Sequence, residues 1–515
     1  MHGYKGERPP QLFNMARYCL ETGDTRPAGK CGLIVIKDAI DPDNIESWTF
    51  GELEDAVLRI ASGLLADGHE GGDRIVIRLE NTSDYALLFF GAIAAGLVPL
   101  PASSVLSGKE VSYFLADCGA RSIALSDDLP AGDIADDVRV YSPRDITQMR
   151  KTSVRGEFAA THADDPAFLV YTSGTTARPK GVLQAQRSVW GRRPMYRGWY
   201  DISVRDRVLH AGAFNWTYTL GTGLSDPWAN GATALVYTGD KDPSIWLRLM
   251  AAHEATIFAA VPTLYRQILK YCDVENEFPA TLRHGLTAGE TLPEDISREW
   301  QTRTGTILYE ALGMSEMSTY ISSSPAVPPK AGAIGKAQEG REVVILPAES
   351  GITPLPAGEE GLIAIHRTDP GLMLGYWNRP DEEALVTRGD WFCGGDLGVM
   401  DEDGYITHLG RNDDLMNAFG FRVSPLEIEQ VLGDHPGVSE AAVAEVKVSK
   451  NVSIIAAFIV LNEGAEPDAS GLQKLAESRL AAYKVPKTFV FKDTLPHTPN
   501  GKVKRSELRR TYRPE

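Results

Sequence analysis

Eleven consecutive residues, Tyr171 to Gly181 (YTSGTTARPKG), concentrate the groups that hold phosphate. Thr172, Ser173, Thr175 and Thr176 supply hydroxyl donors, Gly174 lets backbone N–H groups approach an anion, and Lys180 offsets its charge. The apolar FLVY ahead of the run reads as a strand, so the hydroxyls sit on a loop that leaves a strand. The string is not a Walker loop, because no lysine–hydroxyl pair opens a helix. By composition alone a Ser/Thr/Gly run also describes an ordinary surface loop. A second concentration lies near the C-terminus, where Lys484, Lys487, Lys492, Lys502, Lys504, Arg505, Arg509, Arg510 and Arg513 crowd a chain of net charge −17. That cluster is either a solvated helix end or a positive region suited to a phosphate-rich small ligand.

The full string resembles the phosphate loop of the adenylate-forming superfamily, which holds acyl- and aryl-CoA synthetases, luciferases and peptide-synthetase adenylation domains. The resemblance continues in order from about Trp48 to Arg510. It implies an AMP-forming carboxylic acid:CoA ligase of the medium-chain acyl-CoA or benzoate-CoA type, with ATP, Mg²⁺ and CoA as co-substrates. The family usually has glycine where this chain has Ala177. If that position needs a positive φ, alanine costs about 1 kcal/mol but removes no phosphate donor.

On that resemblance TAGETL (287–292) lines the adenine side with Gly289 and Glu290, and YEALGMSEM (309–317) continues it through Glu310, Ala311 and Leu312. Leu312 stands where many relatives stack an aromatic on adenine, which implies weaker stacking. Ser315 is expected to reach a phosphate and Glu316 to help hold Mg²⁺, which prefers hard oxygen ligands and bridges phosphates. Asp396 precedes Arg411 by 15 residues, the family spacing for a carboxylate that accepts both ribose hydroxyls and the arginine that assists it. His408 reads as a wall residue beside the ribose rather than a catalyst. Asp413 matches a hinge about which the C-terminal domain turns between adenylation and thioester formation. Lys502, in PHTPNGKVKR, matches the lysine that contacts carboxylate and α-phosphate; a positioned cation lowers the barrier to bringing two anions together. Catalysis is thus expected from Lys502, Glu316 and Arg411. AFGFRV (418–423) resembles the segment lining the pantetheine tunnel, with Gly420 leaving room for the thiol arm and Phe421 and Arg422 beside it.

AFNWTYTLG (213–221) aligns with the acid-pocket segment and places Trp216, Thr217 and Tyr218 there, with Ala288. Acetate-using relatives close the pocket with a tryptophan three residues before the magnesium glutamate. Gly313 at that position implies an open floor and an acid larger than propionate, aromatic or medium-chain. These segments show no cation that would demand a second carboxylate. Each aromatic here could equally be core packing.

Two rivals follow. An adenylating enzyme that loads a separate carrier protein is disfavoured because AFGFRV looks like the CoA ligases. A non-enzymatic nucleotide-binding scaffold is disfavoured because Thr175, Lys180, Glu316, Asp396, Arg411 and Lys502 fill every expected polar position.

The elements that must position these groups are those of an α/β protein. Helical spacing over 48–66, a strand at 73–79, and then ALLFFGAIAAG, LVPLP, SYFLADCG and RSIALS alternate helix and strand, which implies largely parallel sheet. From about 333 to 410 short strands and turns suggest a β-rich subdomain. The expected architecture is a large N-terminal domain, 1–411, with parallel-rich αβαβα layers, and a small mobile α+β domain, 412–515, suited to closing over a reacting substrate. The 515 residues are too many for one ordinary domain. Five scattered cysteines without a CxxC pair imply reduced thiols and a cytoplasmic protein. No run approaches the roughly 20 apolar residues of a membrane span. The acidic charge excludes a general nucleic-acid surface; the resemblance implies small-molecule partners, and a homodimer stays open.

Overall fold

Local capping chemistry fixes where the first long helix begins. The Thr49 hydroxyl accepts from the Glu52 N–H at 3.3 Å while the Glu52 carboxylate accepts from the Thr49 N–H at 2.8 Å, so helix Phe50–Ala66 starts on a complete capping box. Ser107 and Glu110 repeat the device at helix Gly108–Cys118, which ends on Gly119 at φ 61. The computed structural model describes residues 3–172, 179–412, 416–418, 421–423, 425–449, 452–480, 484–497 and 503–513.

The expected alternation is present. Strand Arg74–Arg78, helix Ser83–Ala94, strand Val98–Pro101, helix Gly108–Cys118 and strand Ser122–Leu125 follow one another as the apolar pattern implies. Their strands form a parallel sheet, extended by Arg139–Tyr141. A larger sheet in the same unit runs Ser318–Ser322, Leu308–Met314, His284–Ala288, Ile257–Ala260, Arg207–His210, Thr233–Tyr237 and Cys31–Ile36 in spatial order. From Leu308–Met314 to Cys31–Ile36 every pairing is parallel. His284–Ala288 and Ile257–Ala260 are buried along their whole length, as strands covered on both faces must be. This is the mixed α/β fold anticipated.

The chain divides into two compact units, residues 1–343 with 365–392, and residues 344–364 with 393–515. The β-rich stretch 333–410 therefore does not stay whole with the N-terminal domain. The reason is packing: Gly398 sits so close to Ile363 that an added Cβ would lie 2.8 Å from its side chain, and helix Pro425–Gly433 packs against strand Tyr405–Arg411. The second unit also holds the antiparallel pair Val438–Ser449 and Val452–Leu461, with Thr488–Phe491 parallel to the latter. Among the described residues no helix is long and apolar enough to cross a membrane.

Candidate active site

Ligands of open parallel sheets bind beyond the carboxyl ends of the strands. The register brings His210, Ala260, Ala288 and Ala311 to one such end, and the expected adenine and acid segments follow directly from it. Gly289, at φ +91, makes the turn that leaves His284–Ala288. Beyond it the Glu290 carboxylate accepts from the Thr263 hydroxyl at 2.8 Å. Glu310 lies beside Thr287 across the strand pair and accepts one N–H, from Leu292, at 2.9 Å. Burial outweighs that bond and pushes the Glu310 carboxyl up to about 7. Leu312 pairs with Ile321, and a bulge then sets Gly313 opposite Thr319.

The expected phosphate loop joins strands Pro166–Thr172 and Lys180–Ala185, in which Thr172 pairs with Lys180. Ser173, Gly174, Thr175 and Thr176 lie outside the described residues. The stems of the hairpin are pinned to Asp117, on helix Gly108–Cys118. Tyr171 donates its hydroxyl to Asp117 Oδ2 at 2.6 Å, and Arg379 donates to Oδ1 at 2.6 Å. Tyr113 Oη lies 3.3 Å from Oδ1 and 3.0 Å from the Pro179 carbonyl. Lys180 Nζ stands 3.7 Å over the Tyr376 ring and 3.2 Å from a Glu382 carboxylate oxygen. The Tyr376 hydroxyl donates to Glu316 Oε1 at 2.7 Å. The turn bearing Ser315 and Glu316 is held by its backbone. Gln184 Nε2 donates to the Ser315 carbonyl at 2.6 Å and the Met373 N–H to the Glu316 carbonyl at 2.8 Å.

On the acid side, Trp216 precedes the short helix Thr217–Leu220. Tyr218 stacks on Trp199 at 5.8 Å, donates to the Leu286 carbonyl at 3.3 Å and meets the His210 ring edge-on at 4.4 Å. It shares one apolar cluster with Ala288 and Ala311. Burial, with Lys241 adding to it, pushes the His210 imidazole down to about 3. Its Nδ1 accepts the Gly212 N–H at 2.8 Å, which leaves the proton of this neutral ring on Nε2.

In the second unit, the spacing of Asp396 and Arg411 is a hairpin register: they are direct partners on antiparallel strands. Arg411 Nη1 lies 3.6 Å from Asp396 Oδ2 and donates to the Gly394 carbonyl at 2.7 Å. Gly395, at φ +89, holds a backbone conformation that side-chain-bearing residues rarely adopt, and a Cβ there would lie 3.0 Å from the Arg411 guanidinium. His408 Nε2 is 3.1 Å from Asp396 Oδ1. Phe421 and Arg422 belong to strand Phe421–Val423, paired with Met416–Ala418. Gly420, Asp413 and Lys502 lie outside the described residues, and His497 and Val503 bridge across the segment that holds Lys502.

Residues 24–377 match the AMP-binding enzyme family and residues 427–502 the AMP-binding enzyme C-terminal domain, together most of the chain. The chain belongs to the AMP-binding enzyme family. It is 32% identical to the benzoate–CoA ligase of Thauera aromatica, with 91% of each chain covered. It is 31% identical to human acyl-coenzyme A synthetase ACSM5, with 90% of this chain and 84% of that one covered. Among solved structures, ATP-bound MatB from Rhodopseudomonas palustris superposes with a TM-score of 0.88 at 28% identity, over 97% of this chain and 99% of that one. By these relatives it is an AMP-forming acid–thiol ligase.

Within that family frame the structure amends several readings. Gly313 does not border open space on its side-chain face: an added Cβ would lie 2.6 Å from the Ser318 carbonyl oxygen and 2.8 Å from Thr319 Cα, both backbone atoms. Its lack of a side chain is a requirement of strand pairing. His408 is more than a wall, because it shares the Asp396 carboxylate with Arg411. A buried cation also stands near the acid segment, Arg192, which the sequence did not reveal. Its Nε and Nη2 grip Asp226 at 2.6 to 3.0 Å, so its charge is neutralised in place. The cavity beside it, about 30 Å³, is bounded by Gln184, Arg192, Thr217, Leu220, Ser315 and Ser318 among others. Asp117, His210 and Tyr376 were likewise missed. No local spacing marks them; only helix placement and the pairing of Gly375–Tyr376 with Val182 and Leu183 bring them to the site.

Proposed function

We propose that this enzyme adenylates an aromatic or medium-chain carboxylic acid larger than propionate with Mg·ATP, releases pyrophosphate, and transfers the acyl group to CoA. The observation that carries the first step is the convergence of Lys180 and Glu316 on Tyr376 at the loop end of the hairpin. A cation for phosphate and a hard carboxylate for its metal are what nucleotide chemistry needs together. Among the described residues no group of three or more metal-binding side chains exists, and none donates to Glu316 Oε2. That donor set fits Mg²⁺, which takes one or two protein carboxylates and fills its shell with phosphate oxygens and water. Bound there, the metal would neutralise charge on the phosphates.

Each residue has a part in this reading. Thr172, Ser173, Gly174, Thr175, Thr176, Lys180 and Ser315 hold the phosphates. Gly289, Glu290, Glu310, Ala311 and Leu312 surround adenine. Asp396 accepts the ribose hydroxyls, steadied by Arg411 and His408, and Lys502 draws the carboxylate onto the α-phosphate. Asp413 is the hinge, and Gly420, Phe421 and Arg422 receive the pantetheine arm. Trp216, Thr217, Tyr218 and Ala288 form the acid pocket, with the neutral His210 beside Tyr218. Support for an aromatic or apolar acid comes from the benzoate and acyl-CoA relatives and from the apolar wall at Tyr218, Trp199 and Ala288. The five scattered cysteines, none of them in a disulfide, fit a cytoplasmic enzyme.

A pyrophosphate-release screen over benzoic, hydroxybenzoic, branched and four- to ten-carbon acids, with CoA present, tests the reading. Release above background with an aromatic or medium-chain acid, and with little on acetate, is expected. Preference for acetate would overturn the substrate class.

A further inference from the structure

Tyr376 lies outside every motif that marks the nucleotide site, yet it touches two of that site's charges. Its ring lies 3.7 Å under Lys180 Nζ, and its hydroxyl donates to Glu316 Oε1 at 2.7 Å. The residue is 6% exposed and fixed by backbone on both sides: it pairs with Val182, and the Trp377 N–H donates to the Gly181 carbonyl at 2.8 Å. Asp117, through Arg379, ties the same segment to the hairpin stems. Glu382 also stands 3.2 Å from Lys180 Nζ.

A phenol can steer a carboxylate by donating to one of its oxygens while the other keeps its lone pairs for a ligand. Its ring face attracts a cation without neutralising it. Resting on the nucleotide-binding reading above, we propose that Tyr376 is a positioning residue that aims Glu316 at the metal and Lys180 at the phosphates, and that Glu382 is the counter-charge Lys180 leaves when phosphate arrives. The two functions are separable, because the hydroxyl serves Glu316 and the ring serves Lys180.

Calorimetric titration of the full-length protein with ATP, with Mg²⁺ and with a chelator, separates them. Tyr376→Phe keeps the ring, so it should weaken Mg·ATP binding several-fold, by about 3- to 10-fold, and leave metal-free ATP binding unchanged. Tyr376→Leu should weaken both. Glu382→Gln should tighten metal-free ATP binding about 2- to 5-fold, and this variant leaves Tyr376 in place should its replacements fold poorly. The KM for the acid should stay at the parental value in Tyr376→Phe. Equal losses for Mg·ATP, metal-free ATP and acid would reveal a merely structural tyrosine and overturn the proposal. So would unchanged Mg·ATP binding in Tyr376→Phe, or weakened ATP binding in Glu382→Gln. A parent protein that binds no ATP would instead overturn the nucleotide reading on which the proposal rests.

Discussion

The Tyr171 hydroxyl donates to Asp117 Oδ2 at 2.6 Å, so the residue at the entry of the proposed phosphate loop is fastened to a helix 54 positions earlier in the chain. The same carboxylate takes Arg379 and lies within reach of Tyr113, whose hydroxyl reaches the carbonyl of Pro179 at the other stem. One side chain thereby ties together both stems of the hairpin.

Tyr171→Phe removes one hydrogen bond to an ionised acceptor and retains the ring that stacks on Phe114 at 4.3 Å. Such a bond is worth about 1.5–3 kcal/mol. The expected outcome is a KM for ATP raised several-fold with an unchanged KM for the acid. An equal rise in both, measured by steady-state kinetics, would mean that Asp117 supports the fold at large.

Gly313→Ala should damage the enzyme without retuning it. The new Cβ meets Ser318 and Thr319 backbone, and accommodating it means shifting strand Ser318–Ser322, at about 1–3 kcal/mol. The melting temperature should fall, and kcat/KM should drop alike for benzoate and propionate. A selective loss of the larger acid would restore Gly313 as the pocket floor.

The Glu310 carboxyl titrates near an ordinary value of 4.5 when unfolded and near about 7 when folded. Between these values the native state keeps a proton that unfolding releases, so this group's stabilisation is complete below pH 4.5 and lost as pH rises through 7. The effect amounts to at most about 3 kcal/mol. Glu310→Gln should therefore lose less melting temperature than the parent between pH 5 and pH 8. Parallel profiles would show that the folded carboxyl titrates normally.

Lys502→Ala should cut acyl-adenylate formation about 10²–10³-fold, the usual cost of removing a charge-stabilising donor. Thioester formation from pre-made acyl-adenylate should survive. Rapid-quench measurement of both half-reactions decides this, and equal losses would refute separate roles for the two steps.

The alternation of apolar runs was enough to read the α/β fold, because each strand or helix announces its own period. The proposed nucleotide residues rest on a different signal: Lys180, Glu316 and Asp396 sit in short strings whose chemistry is local. Tyr376, Asp117 and Arg192 have no such string. Their partners lie 60, 54 and 34 residues away, and only the folded chain supplies the contact. Gly313 shows the converse limit. Its type suggests empty space, whereas the space is filled by a neighbouring strand that no spacing rule places there.

In the proposed reaction the acid attacks the α-phosphate before CoA takes part. Acid-dependent exchange of labelled pyrophosphate into ATP, measured without CoA, tests it directly. Exchange is expected with an aromatic or medium-chain acid. On adding CoA, AMP, pyrophosphate and acyl-CoA should form in equal amounts. Release of ADP and phosphate, or exchange that needs CoA, would contradict it.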